Sequence, residues 1–186
     1  RRLTAAVIRD LGADVIALQE VFDAETLDHF HDRVLVPAGV APYPYRVCLP
    51  GNDGRGLDVA LMSRAAVGGV ASHAGLTAGD VGLDPSGAGS QPVFRRDCLV
   101  VDLDSLTLFI CHFKAPWPDA DAAWPVRRVE AETVRRLVEM RFDDPAEAFW
   151  LILGDLNDPD PPGTPGRAIA PLEDPFAVDL SLRMAP

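Results

Sequence analysis

The stretch FWLILGDLNDPDPPG, residues 149–163, contains the pattern that decides the fold. Its first five residues are apolar, and Gly154, Asp155, Leu156 and Asn157 follow. A continuous apolar run of this length is typical of a buried strand. Residues two apart on an extended backbone point the same way. The sequence therefore predicts a core strand that ends by presenting a carboxylate and an amide on one side.

Other predicted strands also end in polar side chains. The run DVIALQEV (14–21) ends its apolar part at Gln19-Glu20, and LTLFICHFKA (106–115) reaches His112, with Lys114 nearby. The segment FRRD (94–97) places Arg95 and Arg96 beside a further strand. If these strand ends meet at one edge of a sheet, they bring carboxylate, imidazole and guanidinium groups into one cleft. Carboxylate oxygens are suitable ligands for Mg²⁺ or Mn²⁺. Imidazole and guanidinium groups can stabilise the negative charge that develops in a phosphoryl-transfer transition state.

Each of these groups, taken alone, also has a plain structural explanation. An acidic residue just beyond a strand is usually a solvated loop residue, and a histidine that ends an apolar strand is usually a satisfied structural residue. Asp and Asn favour turns because they bond to their own backbone, and adjacent arginines are usually solvated. The functional interpretation therefore depends on the joint order of the motifs.

The remaining pattern predicts helices that alternate with strands. The stripe of Leu3, Val7, Ile8 and Leu11 predicts an amphipathic helix over 1–11, and Asp23 is a candidate N-cap for a second helix. Further strands are predicted at 45–49, 57–63, 93–103 and 106–112, with a long loop over 72–92. Pro125 is predicted to open a helix through about residue 141. Its inward face is predicted to carry Val129, Leu137 and Met140, and its outward face Arg127, Arg128, Glu132, Arg135 and Arg136.

Composition narrows the possible functions. The 186 residues carry a net charge of −11, and Lys114 is the only lysine, which disfavours a protein that grips nucleic acid non-specifically through basic stripes. No apolar run approaches the roughly 20 residues needed to cross a bilayer. The three cysteines are odd in number and lack CxxC spacing, so buried free thiols and a reducing, cytoplasmic compartment are expected.

Five blocks in this order carry a family resemblance: DVIALQEV, GRGLDVALMSR, FRRDCLVVDL, LTLFICHFKA and LILGDLND. Together they resemble the endonuclease/exonuclease/phosphatase family of the deoxyribonuclease I-like superfamily, over roughly residues 3–160. The resemblance implies an α/β fold, a two-sheet β-sandwich flanked by helices. It also implies metal-assisted hydrolysis of a phosphoester by in-line water attack.

The resemblance assigns a role to each matching residue. Glu20 matches the family glutamate that binds the catalytic divalent metal, Mg²⁺ or Mn²⁺. Asp155 and Asn157 match the GDxN motif, which orients the attacking water and contacts the scissile phosphate.

The other matches concern the substrate, which the resemblance implies is a nucleic acid or a small phosphoester. His112 matches the histidine that contacts a phosphate oxygen, with Lys114 as a helper. Arg96 matches the family arginine better than Arg95 does. Asp58 matches a recurring position of the bacterial branch and is a candidate substrate-binding residue.

Two family elements have no match in this sequence. These are a first strand carrying a metal-binding Asn and a final Ser-Asp-His block, and His29, His31 and His73 lack the context to replace that histidine. Residues 1–186 are therefore expected to form one incomplete domain of this family with impaired activity. The alternative hypothesis is a non-catalytic scaffold that keeps the fold for protein binding.

Overall fold

The computed structural model describes residues 2–84, 89–161 and 164–180. The chain divides into two compact units, each built from three separate stretches of sequence. The first unit comprises Arg1–Gly75, Phe94–His112 and Phe149–Asp155. The second comprises Leu76–Val93, Phe113–Ala148 and Leu156–Pro186. The expectation of one domain stays a prediction.

The first unit is a two-sheet sandwich with helices on its outer side, as predicted. The helices are α1 (Arg2–Leu11) and α2 (Ala24–Phe30), and α2 continues as a π-helical turn His31–Leu35 and a 3₁₀ turn Val36–Ala38. One sheet has the order β1 (Val15–Val21), β3 (Asp58–Ser63), β2 (Tyr45–Cys48), all antiparallel. The other has the order β4 (Gly69–Ala71), β5 (Cys98–Leu103), β6 (Leu106–His112), β7 (Trp150–Asp155). Only β6 and β7 among these pairs are parallel.

Strand β3 shows why the predicted strands read as continuous apolar runs. Val59 and Leu61 pack toward the second sheet, and Ala60 and Met62 pack toward α1 and α2. All four are fully buried. Because β3 is covered on both faces, it lacks the apolar–polar alternation of a half-buried strand.

Helix α1 forms where predicted, but only Ile8 of its predicted apolar stripe is buried. Leu3, Val7 and Leu11 are 79%, 50% and 70% exposed, whereas Ala5 and Ile8 are buried. The helix thus packs through a narrow face, where the small Ala5 side chain allows close approach to the core.

The second unit is built around α3 (Ala120–Arg141), with 3₁₀ turns at Gly79–Val81 and Ala170–Leu172. Helix α3 begins before Pro125, which corrects the predicted start. Asp119 caps it by accepting hydrogen bonds from the backbone N–H groups of Asp121 and Ala122, at 3.0 and 3.1 Å. A proline this near the N-terminus removes only one intrahelical hydrogen bond, so the cap decides where the helix starts.

Two residues of α3 face opposite to the prediction. Arg127 is only 2% exposed, whereas Met140 is 66% exposed. Arg127 donates to the carbonyl of Lys114 at 3.2 Å, and buried Glu130 accepts the N–H of Lys114 at 2.7 Å. Burial of Arg127 and Glu130 is tolerated because their side chains form hydrogen bonds with the irregular backbone at Lys114.

The predicted strand at 93–103 is shorter in the structure, and β4 was missed. Strand β5 begins only at Cys98. Before β5, Asn52 binds two backbone carbonyls. Its backbone N–H donates to the carbonyl of Arg96, and its side-chain amide donates to the carbonyl of Phe94. Residues 94–96 are thus held by a loop. The three-residue β4, containing Gly69, is too short for its pattern to be visible in sequence.

The three cysteines are buried and free, as predicted.

Candidate active site

The ends of β6 and β7 place His112 beside Asp155. These two residues are partners in the parallel register, so the imidazole and the carboxylate leave neighbouring strands at the same level. Gly154, just before Asp155, has a φ of +129°, and a Cβ there would lie 1.9 Å from the carbonyl oxygen of Cys111. Glycine is therefore required for the end of β7 to lie this close to β6.

Glu20 leaves β1 at an irregularity of the strand. The pairing of β1 with β3 shifts register between Leu18 and Val21, and Glu20 has a left-handed backbone with φ of +59°. A left-handed backbone costs a non-glycine residue roughly 1–2 kcal/mol. The exposed carboxylate of Glu20 is thus turned out of the sheet at a local backbone cost.

His112 is buried and within electrostatic range of four charged residues of the first unit, Arg96, Asp155, Glu20 and Asp53. It is 4% exposed, and its Nδ1 has no hydrogen-bond partner within the described structure. Burial, and then the charge of Arg96, lower the pKa of His112, whereas the charges of Asp155, Glu20 and Asp53 raise it. The imidazole is therefore neutral at neutral pH, with one ring nitrogen a donor and the other an acceptor.

Arg96 is held in the interior by an aspartate that sequence reasoning missed. Its Nε lies 3.0 Å from Oδ2 of Asp53, and the two side chains are only 6% and 9% exposed. The neighbouring Arg95 is exposed. In the sequence, Asp53 reads as an ordinary turn former between glycines, so no signal separates it from a plain loop residue.

Asp58 contacts the same loop. It is 6% exposed, and its Oδ1 accepts the N–H of Gly51 at 2.8 Å. Burial raises the pKa of its carboxyl, and the hydrogen bond from Gly51 opposes this. The observed contact of Asp58 is thus with the backbone that leads to Asp53, and its assignment to substrate stays a prediction.

Asn157 and Lys114 belong to the second unit. Asn157 has a left-handed backbone, with φ of +51°, and its Nδ2 donates to the carbonyl of Phe113 at 3.1 Å. The ammonium of Lys114 donates to the carbonyl of Ala115 at 2.7 Å and to that of Trp117.

Two histidines that are not site candidates, His31 and His73, form hydrogen-bond contacts with the backbone. Nε2 of His31 accepts the N–H of Tyr43 at 2.9 Å. Nδ1 of His73 lies 2.9 Å from the carbonyl of Cys98, and its backbone N–H donates to Asp97.

Glu20 is the candidate ligand for a divalent metal ion. Over residues 2–84, 89–161 and 164–180, no three His, Cys, Asp or Glu side chains cluster closely enough to hold a metal ion by themselves. Mg²⁺ commonly takes one or two carboxylates and completes its shell with waters and substrate phosphate oxygens. The single exposed carboxylate of Glu20 fits that mode of binding and does not fit an all-protein cage.

Comparison with known families identifies the chain at the level of its family. The model of the Endonuclease/Exonuclease/phosphatase family matches residues 1–177. The chain belongs to this family. The predicted resemblance is confirmed. No curated protein sequence matches significantly.

Several solved structures are similar to the fold of this chain. The chain is 16% identical to truncated TDP2 from Caenorhabditis elegans, with a TM-score of 0.53 over 84% of this chain and 54% of that one. It is 18% identical to a β-hairpin deletion mutant of Staphylococcus aureus beta toxin, with a TM-score of 0.56 over 89% and 62%. For ANGEL2, described as a 2′,3′-cyclic phosphatase, identity is 16% and the TM-score is 0.52 over 87% and 44%.

These similarities show a deoxyribonuclease I-like fold. The chain spans about half the length of the first structure it matches. None of the described helices is both long and apolar enough to cross a membrane.

Proposed function

We propose that this chain is a phosphoesterase domain that hydrolyses a phosphoester by in-line attack of water, assisted by Mg²⁺ or Mn²⁺. The substrate is a nucleic acid or a small phosphoester. Family membership and the similarity to ANGEL2, described as a phosphatase, support this reaction class.

One observation carries the proposal: acidic and basic groups from two strands, β1 and β7, and from two loops act on a single buried imidazole. Burial is the main cause that lowers the pKa of His112, and the charges of Arg96, Asp155, Glu20 and Asp53 also act on it. A titratable group whose pKa is perturbed both by burial and by nearby charges is typical of functional sites. A structural histidine in an apolar core would not need three carboxylates and a guanidinium around it.

The proposed roles follow from the chemistry of each group. Neutral His112 donates one N–H to a phosphoryl oxygen, and the Arg96 guanidinium offsets the negative charge on the other oxygens. Asp155 accepts a hydrogen bond from the attacking water and aligns it. The assignment of Asn157 to the phosphate stays a prediction of the family resemblance.

Glu20 is the proposed metal ligand. A divalent ion bound there supplies Lewis-acid polarisation of the phosphoryl oxygen. The left-handed backbone at Glu20 supports this assignment, since strained backbone often persists where function requires a side chain in a particular position.

Calorimetric titration with Mg²⁺ and Mn²⁺ tests the proposal. The native chain is expected to bind one ion, and Glu20→Gln to lose that binding. Glu25→Gln is the matched control, because Glu25 is also an exposed glutamate but lies on α2. A scaffold that only keeps the fold has no need of the ion. Absence of binding, or equal binding by Glu20→Gln, would refute the proposal.

A further inference from the structure

The loop of residues 51–56, GNDGRG, holds two guanidinium groups on one carboxylate. Oδ1 of Asp53 accepts from Nε of Arg55 at 3.0 Å, and Oδ2 accepts from Nη2 of Arg55 at 2.8 Å. The same Oδ2 lies 3.0 Å from Nε of Arg96. The Arg96 side chain is 6% exposed, whereas that of Arg55 is 65% exposed. Asp53 therefore links the buried arginine of the proposed site to an arginine at its surface.

The position of this loop is fixed by several contacts. Asp58 accepts the N–H of Gly51, and the N–H of Asn52 donates to the carbonyl of Arg96 at 3.0 Å. A Cβ on Gly51 would lie 2.9 Å from the carbonyl carbon and oxygen of Arg96. The loop backbone thus lies directly against the backbone of Arg96, so the bridge through Asp53 is built into the fold.

Asp53 stays ionised, which keeps both guanidiniums attached. The hydrogen bond from the Arg55 side chain is the main cause that lowers the pKa of Asp53 to about 2, and the charge of Arg96 adds to it. This clamp, in which Asp53 contacts both Arg55 and Arg96, is therefore present throughout the physiological pH range.

The exposed guanidinium of Arg55 is within electrostatic range of Glu20, the proposed metal ligand. The hydrogen bond and charge of Asp53, and then the charge of Glu20, raise the pKa of Arg55. A guanidinium has five N–H donors, and the two-pronged contact with Asp53 engages only the Nε and Nη2 side. The exposed remainder is a planar donor surface of the kind that recognises phosphate.

A plain surface ion pair is the alternative explanation for Asp53 and Arg55, since they are two residues apart. Such a pair contributes little and fixes no geometry. Here the carboxylate is nearly buried and is shared with Arg96, which is not expected of a solvated pair.

We propose that Arg55 contacts a second anionic group of the substrate, a phosphate adjacent to the scissile one, and that Asp53 is a positioning residue for Arg55 and Arg96. This inference rests on the proposed function. It narrows the substrate to phosphoesters with two neighbouring phosphates, either a diphosphate or two successive links of a nucleotide chain.

Binding measured on the whole 186-residue chain with Mg²⁺ tests the role of Arg55. The probes are inorganic phosphate and pyrophosphate. Arg55→Ala is expected to weaken pyrophosphate about tenfold, the loss of one charge-assisted contact, and to change phosphate less than about twofold. Arg55→Lys is expected to restore only part of the affinity, because it keeps the charge and loses the fork. Arg33→Ala removes an exposed arginine on the π-helical turn and is expected to change neither.

A second pair of probes distinguishes the two sources of the second phosphate. Thymidine dinucleotides with one and with two phosphates are compared in the native chain and in Arg55→Ala. A nucleotide-chain substrate predicts that Arg55→Ala removes the advantage of the second phosphate. A diphosphate substrate predicts that the advantage of pyrophosphate alone is removed. Both outcomes support the role of Arg55.

A double-mutant cycle tests the positioning role of Asp53. Asp53→Asn is expected to weaken phosphate in the native background and to have little further effect in Arg96→Ala, because its action passes through Arg96. Arg96→Lys replaces Arg96→Ala if the latter does not fold by circular dichroism. Equal effects of Asp53→Asn in both backgrounds would overturn the positioning role.

The failures of the two proposals can be told apart. If the native chain binds phosphate and pyrophosphate and Arg55→Ala binds both as tightly, the inference about Arg55 is wrong and the proposed function stands. If the native chain binds neither probe with Mg²⁺ present, both are overturned.

Discussion

Gly154 is the position where the structure predicts the largest effect of a single methyl group. In Gly154→Ala, the new Cβ would lie 1.9 Å from the carbonyl oxygen of Cys111 and 3.0 Å from its carbonyl carbon, on a backbone with φ of +129°. Both atoms belong to the backbone of β6, which cannot rotate away as a side chain can. The end of β7 would therefore have to move by more than 1 Å, which breaks the register that pairs His112 with Asp155.

The magnitude follows from two separate costs. Overpacking costs about 1–3 kcal/mol, and an L-residue in a backbone region reserved for glycine costs about 1–3 kcal/mol more. Together they predict a loss of about 4 kcal/mol. For a chain of this size, that corresponds to a fall in Tm of roughly 8–16 °C.

Thermal unfolding followed by circular dichroism checks this value. Gly75→Ala is the matched control, because a Cβ there meets nothing within 4 Å and its φ is not positive. It is expected to leave Tm within about 2 °C. If Gly154→Ala were as stable as Gly75→Ala, the close approach of β7 to β6 would be wrong, and with it the placement of Asp155 beside His112.

Three further predictions concern the same region. Burial and Arg96 lower the pKa of His112 below its ordinary value of 6.5, so the unfolded chain takes up a proton that the folded chain does not. Stability should therefore fall as pH drops below about 6.5 and level off below the folded pKa; urea unfolding across this range should show the slope, and His112→Gln should reduce it. Glu20→Gly should abolish metal binding because the carboxylate is lost. It should leave the free energy of unfolding unchanged or raise it by up to about 1 kcal/mol, because glycine adopts the φ of +59° without strain. A marked loss of stability would contradict the inference that the backbone at Glu20 is strained. The thiols of Cys48, Cys98 and Cys111 should resist a thiol reagent in the native state and react fully in urea, since all are buried and burial raises the pKa of Cys48 to about 11; rapid native labelling would contradict their burial.

The parts of the fold that the sequence predicted are those with a local signature. Continuous apolar runs located the core strands, because a strand such as β3 is covered on both faces. The two-residue turn between β5 and β6 was visible at Asp104-Ser105, where Leu103 pairs with Leu106. Asp23 was expected to cap α2, and its side chain does accept the N–H of Thr26 at 2.6 Å.

The errors arose where tertiary contacts override local pattern. In α1, Leu3, Val7 and Leu11 looked like part of one core stripe with Ile8, but they are exposed, and Ala5 joins Ile8 on the packed face. Arg127 looked like a solvated helix residue and is buried, because the backbone of Lys114 needs its hydrogen bond. No periodicity in a sequence reports which distant backbone group requires a partner.

The candidate site shows the same division. Motif order was enough to select His112 together with Glu20, Arg96 and Asp155, whose charges act on its imidazole in the first unit. Asp53 and Arg55 were missed, since an Asp and an Arg between glycines resemble any polar turn. Their relation to Arg96 exists only through the folded loop.

If Glu20, His112 and their neighbours form one site for a divalent ion and a phosphoester, an ion bound at Glu20 must lie close to the imidazole. Paramagnetic Mn²⁺ can be added to the native chain while the imidazole signals of His112 are followed by NMR. The His112 signals are expected to broaden as Mn²⁺ binds, and the broadening is expected to be lost in Glu20→Gln. His112 signals that stay sharp at saturating Mn²⁺, or that broaden equally in Glu20→Gln, would contradict it.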